Sequence, residues 1–383
     1  MTGPLPLVIV GTGLAGYTLA REWRRLDRER PLVMITADDG SFYSKPMLSN
    51  GLAQNKAPAD LAIKPAADMA RELGARIHTM VTVDAIVPGE HRLIADGAPV
   101  EFDSLCLAVG ARPIRIPLAG TGAAGVMSVN NLGDYRHFRE RLASASSVAI
   151  MGPGLIGCEF ANDLAARGFG VDCFGPDPWP LSTLLPEAAG RALEDALTET
   201  GVRFHLGTTA ARIDAVAKGV SLTLDTGGRI DADMVLSAVG LRPDTRLAAD
   251  SGLTVNRGIV TDRYLRTSAP DIYALGDCSE TDGLNMPYVM PIMHGARALA
   301  RTLTGAPTAV TYPPMPVVIK TPALAVVVCP PPPGATGHWR TSGDERNVRA
   351  IFQADDDSAL GFALTGEATA EKQALTKMMS ASR

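Results

Sequence analysis

Leu7-Val8-Ile9-Val10-Gly11-Thr12-Gly13-Leu14-Ala15-Gly16 and Val148-Ala149-Ile150-Met151-Gly152-Pro153-Gly154-Leu155-Ile156-Gly157 share one grammar. Each is a short apolar run, then three glycines in the pattern G-x-G-x-x-G, then a helical pattern reaching about Arg25 in the first copy and Arg167 in the second. A second apolar run follows each helix, at 32–36 and 171–174. The first glycine permits a tight turn off a strand. The second lets the backbone approach a pyrophosphate, and the third lets helix and strand pack closely. The helix start offers unpaired N–H groups and a positive dipole end to the phosphates. One such pattern alone is weak, but two copies, each between a strand and a helix, indicate two dinucleotide sites.

Further strands frame these units. Residues 105–113 and 235–243 repeat one design, an apolar strand and turn ending in Arg112-Pro113 and Arg242-Pro243. Residues 272–277 form a third short strand closed by Gly276-Asp277, and 290–303 read as a helix. The last ~70 residues read as short strands at 317–320, 325–329, 348–352 and 360–364 and a helix over about 367–378. Pro330 to Pro333 break that region as a rigid turn rather than as a polyproline ligand. The expected class is α/β, with two Rossmann-like dinucleotide-binding domains and a small α+β C-terminal domain.

Composition narrows the function. The 383 residues are 46% apolar and 20% charged, a globular balance. Apolar runs such as 324–329 fall far short of the ~20 residues of a membrane span. The net charge is −5 without a basic stripe, which disfavours nucleic acid as a partner. The apolar start at Leu5 lacks a basic leader, so the cytoplasm is the expected compartment. The five cysteines, at 106, 158, 173, 278 and 329, show no metal-ligand spacing and no redox pair, so no metal is expected. Of 36 basic side chains only 7 are lysines, which makes Lys45 and Lys320 informative. Arg21, Arg24, Arg25 and Arg28 share one helix face and read as a solvated basic surface rather than a docking site.

Several stretches together resemble the FAD-dependent pyridine nucleotide–disulfide oxidoreductase superfamily over the whole chain, and within it the rubredoxin reductase branch. They are Gly11 to Gly16, Tyr43-Ser44-Lys45-Pro46-Met47-Leu48-Ser49, Gly154 to Leu164, Ala238 to Pro243, Ile272 to Cys278, Tyr288-Val289-Met290-Pro291 and Ile319-Lys320-Thr321-Pro322. The resemblance implies an FAD domain from 1–113 and 236–310, an NAD domain at 114–235 inserted in it, and a C-terminal domain at 311–383. It implies FAD and NADH as cofactors.

The implied cofactor-binding set is Gly11, Thr12, Gly13, Ala15, Gly16, Thr36, Asp38, Lys45, Val83, Arg112, Gly152, Gly154, Ile156, Gly157, Glu159, Gly240, Asp277, Val289 and Lys320, with FAD on the first fingerprint and the nicotinamide nucleotide on the second. Asp277 would bind the ribityl chain, since a carboxylate on a glycine turn suits a polyol. The usual ribose carboxylate aligns with Ala37, so Asp38 stands in as a substitute, or as an ordinary turn residue. Lys45 and Glu159 are the implied catalytic pair, with Glu159 holding the nicotinamide amide and the lysine balancing its charge. A surface lysine, a helix-surface glutamate and, for Lys320, a solvent-facing strand-edge lysine remain the plainer alternatives.

Absences shape the expected reaction. With no cysteine pair to relay electrons, they leave the flavin directly, and a small iron protein, rubredoxin, is the expected transient partner of a monomeric enzyme. A [2Fe–2S] ferredoxin-type reductase, an NADH oxidase and a flavin-bound NADH sensor are the alternatives. Gly175 stands where an NAD site normally has an acid. Asp177 is close, and no Lys or Arg lies between 168 and 190, so NADH is expected over NADPH.

Overall fold

The computed structural model describes residues 4–381, which divide into two compact units: 4–45, 62–112 and 241–312 in one, and 46–61, 113–240 and 313–381 in the other.

The first unit is built on a five-stranded parallel sheet ordered Ile272–Ala274, Ser104–Leu107, Leu7–Val10, Leu32–Ile35, Arg76–His78. Every residue of the three central strands is buried. Such continuous apolar runs belong to a parallel sheet covered on both faces. The helices Leu14–Leu26 and Val289–Thr302 join one core through Tyr17, Trp23, Ile292 and Leu299. Ile86, Leu93 and Leu253 build a second core with Val8, Val33 and Leu105.

The second unit contains a four-stranded parallel sheet ordered Val202–Leu206, Gly170–Gly175, Ser147–Met151, Met234–Ser237. The helix Leu155–Ala165 follows its fingerprint. The C-terminal part forms a five-stranded antiparallel sheet ordered Val317–Ile319, Val326–Cys329, Ala359–Thr365, Val348–Gln353, His338–Gly343. The expected α/β class with two Rossmann-like folds and a small C-terminal α+β part is therefore what the chain adopts.

Two details differ from the sequence expectation. The edge strand His338–Gly343 lacks an alternating apolar signal, being mostly exposed, and is held by its ladder to Val348–Gln353 and an edge-to-face Trp339–Phe352 contact at 5.4 Å. The final helix is split: residues Gly366–Glu371 form a 3₁₀ turn before the α-helix Lys372–Ala381. Gly366, at φ +54, opens that turn.

The strand leading into the second fingerprint is pinned at its start by Asp233. Its Oδ2 accepts from the backbone and hydroxyl of both Ser146 and Ser147. These donors, chiefly those of Ser146, draw its pKa down to about 2. A carboxyl depressed in the folded state stabilises above its unfolded pKa, and that stability is lost as pH falls toward the folded value. Asp233→Ala is thus expected to lower the melting temperature at neutral pH and to flatten its decline between about pH 4 and pH 2. Thermal melts across that range read the difference.

Candidate functional site

The first fingerprint fits a dinucleotide pyrophosphate by its spaces. Gly11 has φ +110, and a Cβ there would overlap the Ala108 carbonyl. A Cβ on Gly16 would overlap the Gly11 carbonyl, while one on Gly13 would meet nothing within 4 Å. The helix that follows begins at Gly13 with no side-chain cap and no acid in its first turn, so its N–H groups stay open to an anion. Ala15 lies against Gly276, where an added Cβ would come 2.8 Å from its own.

The remaining FAD candidates fall within the same unit, Lys320 excepted. Asp38 Oδ1 accepts from Thr36 Oγ1 at 2.7 Å, Gly40 N at 2.9 Å and Thr12 Oγ1 at 3.3 Å, tying the end of the second strand to the fingerprint. Asp277 is raised by burial, an effect opposed by the charge of Lys45. Val289 is 41% exposed and opens a helix without a side-chain cap. Val83 sits in the strand Val83–Val87, and Arg112 pairs with Asp244 at 2.5 Å.

The second fingerprint repeats the geometry. Gly152 has φ +100 with the Ala238 carbonyl 2.7 Å from a would-be Cβ, Gly157 has no room beside the Gly152 carbonyl, and Gly154 faces open space. Ile156, 39% exposed, lies in the first turn of the helix. Gly240 takes φ +106 and its carbonyl accepts from Ile114 N.

The helix Leu155–Ala165 organises a polar cluster along one face. Glu159, Asn162 and Asp163 stand at i, i+3 and i+4, the spacing of helical neighbours. Glu159 is 1% exposed. Its Oε1 accepts from Lys320 N at 2.9 Å, and its Oε2 accepts from Ser49 Oγ at 2.5 Å and from the Lys320 ammonium. Asn162 Oδ1 accepts from Ala323 N at 3.0 Å. Asp163 accepts from Leu52 N at 3.0 Å and Ala53 N at 2.8 Å, and its carboxyl is raised by burial against the lowering effect of those two bonds. One helix face therefore fastens both the 46–61 loop and the segment after Val317–Ile319.

An ammonium beside Glu159 is that of Lys320, and the charge of Lys45 acts on Asp277. Ser49, Asn162 and Asp163 were unassigned in the sequence, although the i, i+3, i+4 spacing from Glu159 was a signal for two of them. Asp163→Ala leaves two backbone donors without their acceptor. The expected cost is about 2–4 kcal/mol, with faster proteolytic cleavage inside 46–61. Timed proteolysis and a denaturant melt check it.

The arginine face is largely occupied internally. Arg24 donates to the carbonyls of Leu73, Asp27 and Arg30, and Arg21 pairs with Glu72 at 2.7 Å while lying over the Phe42 ring. Among the described residues no cluster of metal-ligating side chains occurs, and no helix is long and apolar enough to cross a membrane.

Two glycine cradles, each opening a helix, have the form of two dinucleotide-binding folds, and the chain belongs to the pyridine nucleotide-disulphide oxidoreductase family, whose model matches residues 5–305. Residues 309–379 match the rubredoxin binding C-terminal domain. The chain is 47% identical to Rubredoxin-NAD(+) reductase of Alcanivorax borkumensis, over 98% of this chain and 99% of that one. It is 46% identical to the protein of that name from Acinetobacter baylyi, over 97% and 96% of the two chains. In fold it resembles NADH:rubredoxin oxidoreductase from Clostridium acetobutylicum, with a TM-score of 0.82 at 20% identity, covering 99% of this chain and 95% of that one.

Proposed function

We infer that this chain is an FAD-dependent oxidoreductase that takes hydride from NADH and passes single electrons to rubredoxin. The carrying observation is the near-full-length match to two rubredoxin-NAD(+) reductases, joined to a rubredoxin binding domain at 309–379. Bound FAD supplies the conversion from a two-electron hydride to single electrons.

The chain's own residues bind and orient. We assign the FAD pyrophosphate to the N–H groups around Gly11, Gly13 and Gly16, and the ribityl chain to Asp277. Thr12, Ala15, Thr36, Asp38, Lys45, Val83, Arg112, Val289 and Lys320 complete the proposed set. We assign the NADH pyrophosphate to Gly152, Gly154 and Gly157, with Ile156 and Gly240 beside them. Glu159 takes the nicotinamide carboxamide and fixes the ring for transfer. Ser49 and the Lys320 backbone orient that carboxylate, and the Lys320 ammonium balances its charge. The bonds from Ser49, Lys320 N and the Lys320 ammonium support this reading, because they hold the carboxylate in one direction.

The domain division proposed is 1–113 with 236–310 for FAD, 114–235 for NAD and 311–383 for the C-terminal domain. The enzyme is proposed to act as a cytoplasmic monomer; the five cysteines, all buried and free, suit a reducing compartment. The complex with rubredoxin is proposed to be transient, with an interface below ~1,200 Å².

The test supplies NADH with rubredoxin and, separately, with a [2Fe–2S] ferredoxin. Rapid, preferential reduction of rubredoxin is expected, and it also excludes a sensor that never turns over. Much faster reduction of the ferredoxin would overturn the assignment.

A further inference from the structure

Gly175 ends the strand Gly170–Gly175, where a dinucleotide fold usually places the acid that binds the adenosine ribose. Its φ lies outside the left-handed region, so the backbone does not demand glycine. The demand comes from Pro153, the middle residue of Gly152-Pro153-Gly154. A Cβ on Gly175 would overlap Pro153 Cδ and sit 3.1 Å from Cγ. The proline ring in the second fingerprint therefore forbids any side chain, acidic or otherwise, at the usual position.

The same geometry supplies a replacement. Asp177 folds back so that its Oδ2 lies 3.5 Å from where the missing Cβ would be. Its Oδ1 accepts from Ser182 Oγ at 2.5 Å, which fixes the carboxylate direction. The backbone is held as well: Gly207 N donates to the Asp177 carbonyl and Thr208 N to that of Gly175, both at 3.1 Å. No Lys or Arg occurs from 168 to 190 to neutralise a phosphate there.

We propose that Asp177 is the specificity-determining residue of the nicotinamide site. Its carboxylate accepts the adenosine 2′-hydroxyl of NADH and repels the 2′-phosphate of NADPH, with Ser182 as its positioning residue. This rests on the second fingerprint holding NADH. A charged acceptor placed two residues late thus does the work of one at the strand end, because Pro153 has closed that end.

The experiment is calorimetry on the FAD-loaded full chain with ADP-ribose and with 2′-phospho-ADP-ribose, so that no turnover is read. The wild type is expected to prefer ADP-ribose at least about tenfold. Asp177→Ala should weaken ADP-ribose binding roughly ten- to a hundredfold and erase the preference. Asp177→Asn, which keeps a partner for Ser182, should erase the charge-based part of it. Pro153→Ala/Gly175→Asp/Asp177→Ala should regain the preference by restoring an acid at the strand end. An unchanged preference in both single variants, with ADP-ribose still bound, would overturn the role of Asp177 alone. A wild type that binds neither ligand would remove the nicotinamide site from this fingerprint, and the inference with it.

Discussion

Glu159→Gln is expected to slow reduction of the flavin by NADH about a hundredfold while FAD stays bound, the scale of a mispositioned reactant. The glutamine keeps one acceptor for Ser49 or for Lys320 N but loses the charge that draws in the Lys320 ammonium. Its amide must also point N–H groups either at Lys320 N or at Ser49 and the Lys320 ammonium, so the proposed hold on the nicotinamide loses its fixed direction. Lys320→Met acts differently. It strands a carboxylate that is 1% exposed, and removing one partner of such a pair costs about 3–5 kcal/mol. The double variant Glu159→Gln/Lys320→Met should recover part of that stability without recovering the rate. Stopped-flow bleaching of the flavin and denaturant melts separate the two effects. Unchanged bleaching in Glu159→Gln would leave Glu159 as a helix-packing residue only.

The pair also marks where the sequence stopped being legible. Local rules found both fingerprints, because strand, glycine and helix lie within about ten residues and each glycine answers to a neighbour a few positions away. Glu159 came instead from the resemblance of Gly154 to Leu164 to the family. Its partners are not local: Ser49 stands 110 positions earlier and Lys320 161 later, and only the folded chain shows that one helix face collects both. The charge of Lys45, the lysine that the resemblance set beside Glu159, acts on Asp277. The strand His338–Gly343 escaped notice because an exposed edge strand needs no apolar alternation, only a ladder partner. Gly175 was visible as an anomaly, but its cause was not, since the clash with Pro153 crosses from a strand end to a turn 22 residues earlier.

Within each fingerprint, substitution of different glycines by alanine is expected to fail in different ways. At Gly16 and Gly157 the added methyl would be driven into the carbonyl of Gly11 or Gly152. A backbone carbonyl has no rotamer to yield, so the cost should exceed about 3 kcal/mol, a large share of a typical 5–15 kcal/mol of stability. Both variants should unfold at lower denaturant even without ligand. Gly13 and Gly154 are the opposite case. Each is in extended backbone, φ −69 and ψ −172 or φ −79 and ψ −172, which alanine adopts freely, and nothing lies within 4 Å of the new methyl. Folding stability should therefore stay within about 0.5 kcal/mol. On the proposed assignment of the two fingerprints, the methyl takes the space of a pyrophosphate. Gly13→Ala should yield a folded protein that has lost its yellow colour, whereas Gly154→Ala should remain yellow and show a raised KM for NADH. Absorbance of the purified variants, a melt without added FAD and NADH kinetics distinguish all four. Loss of colour in Gly154→Ala with NADH affinity intact would reverse the assignment of the two cradles.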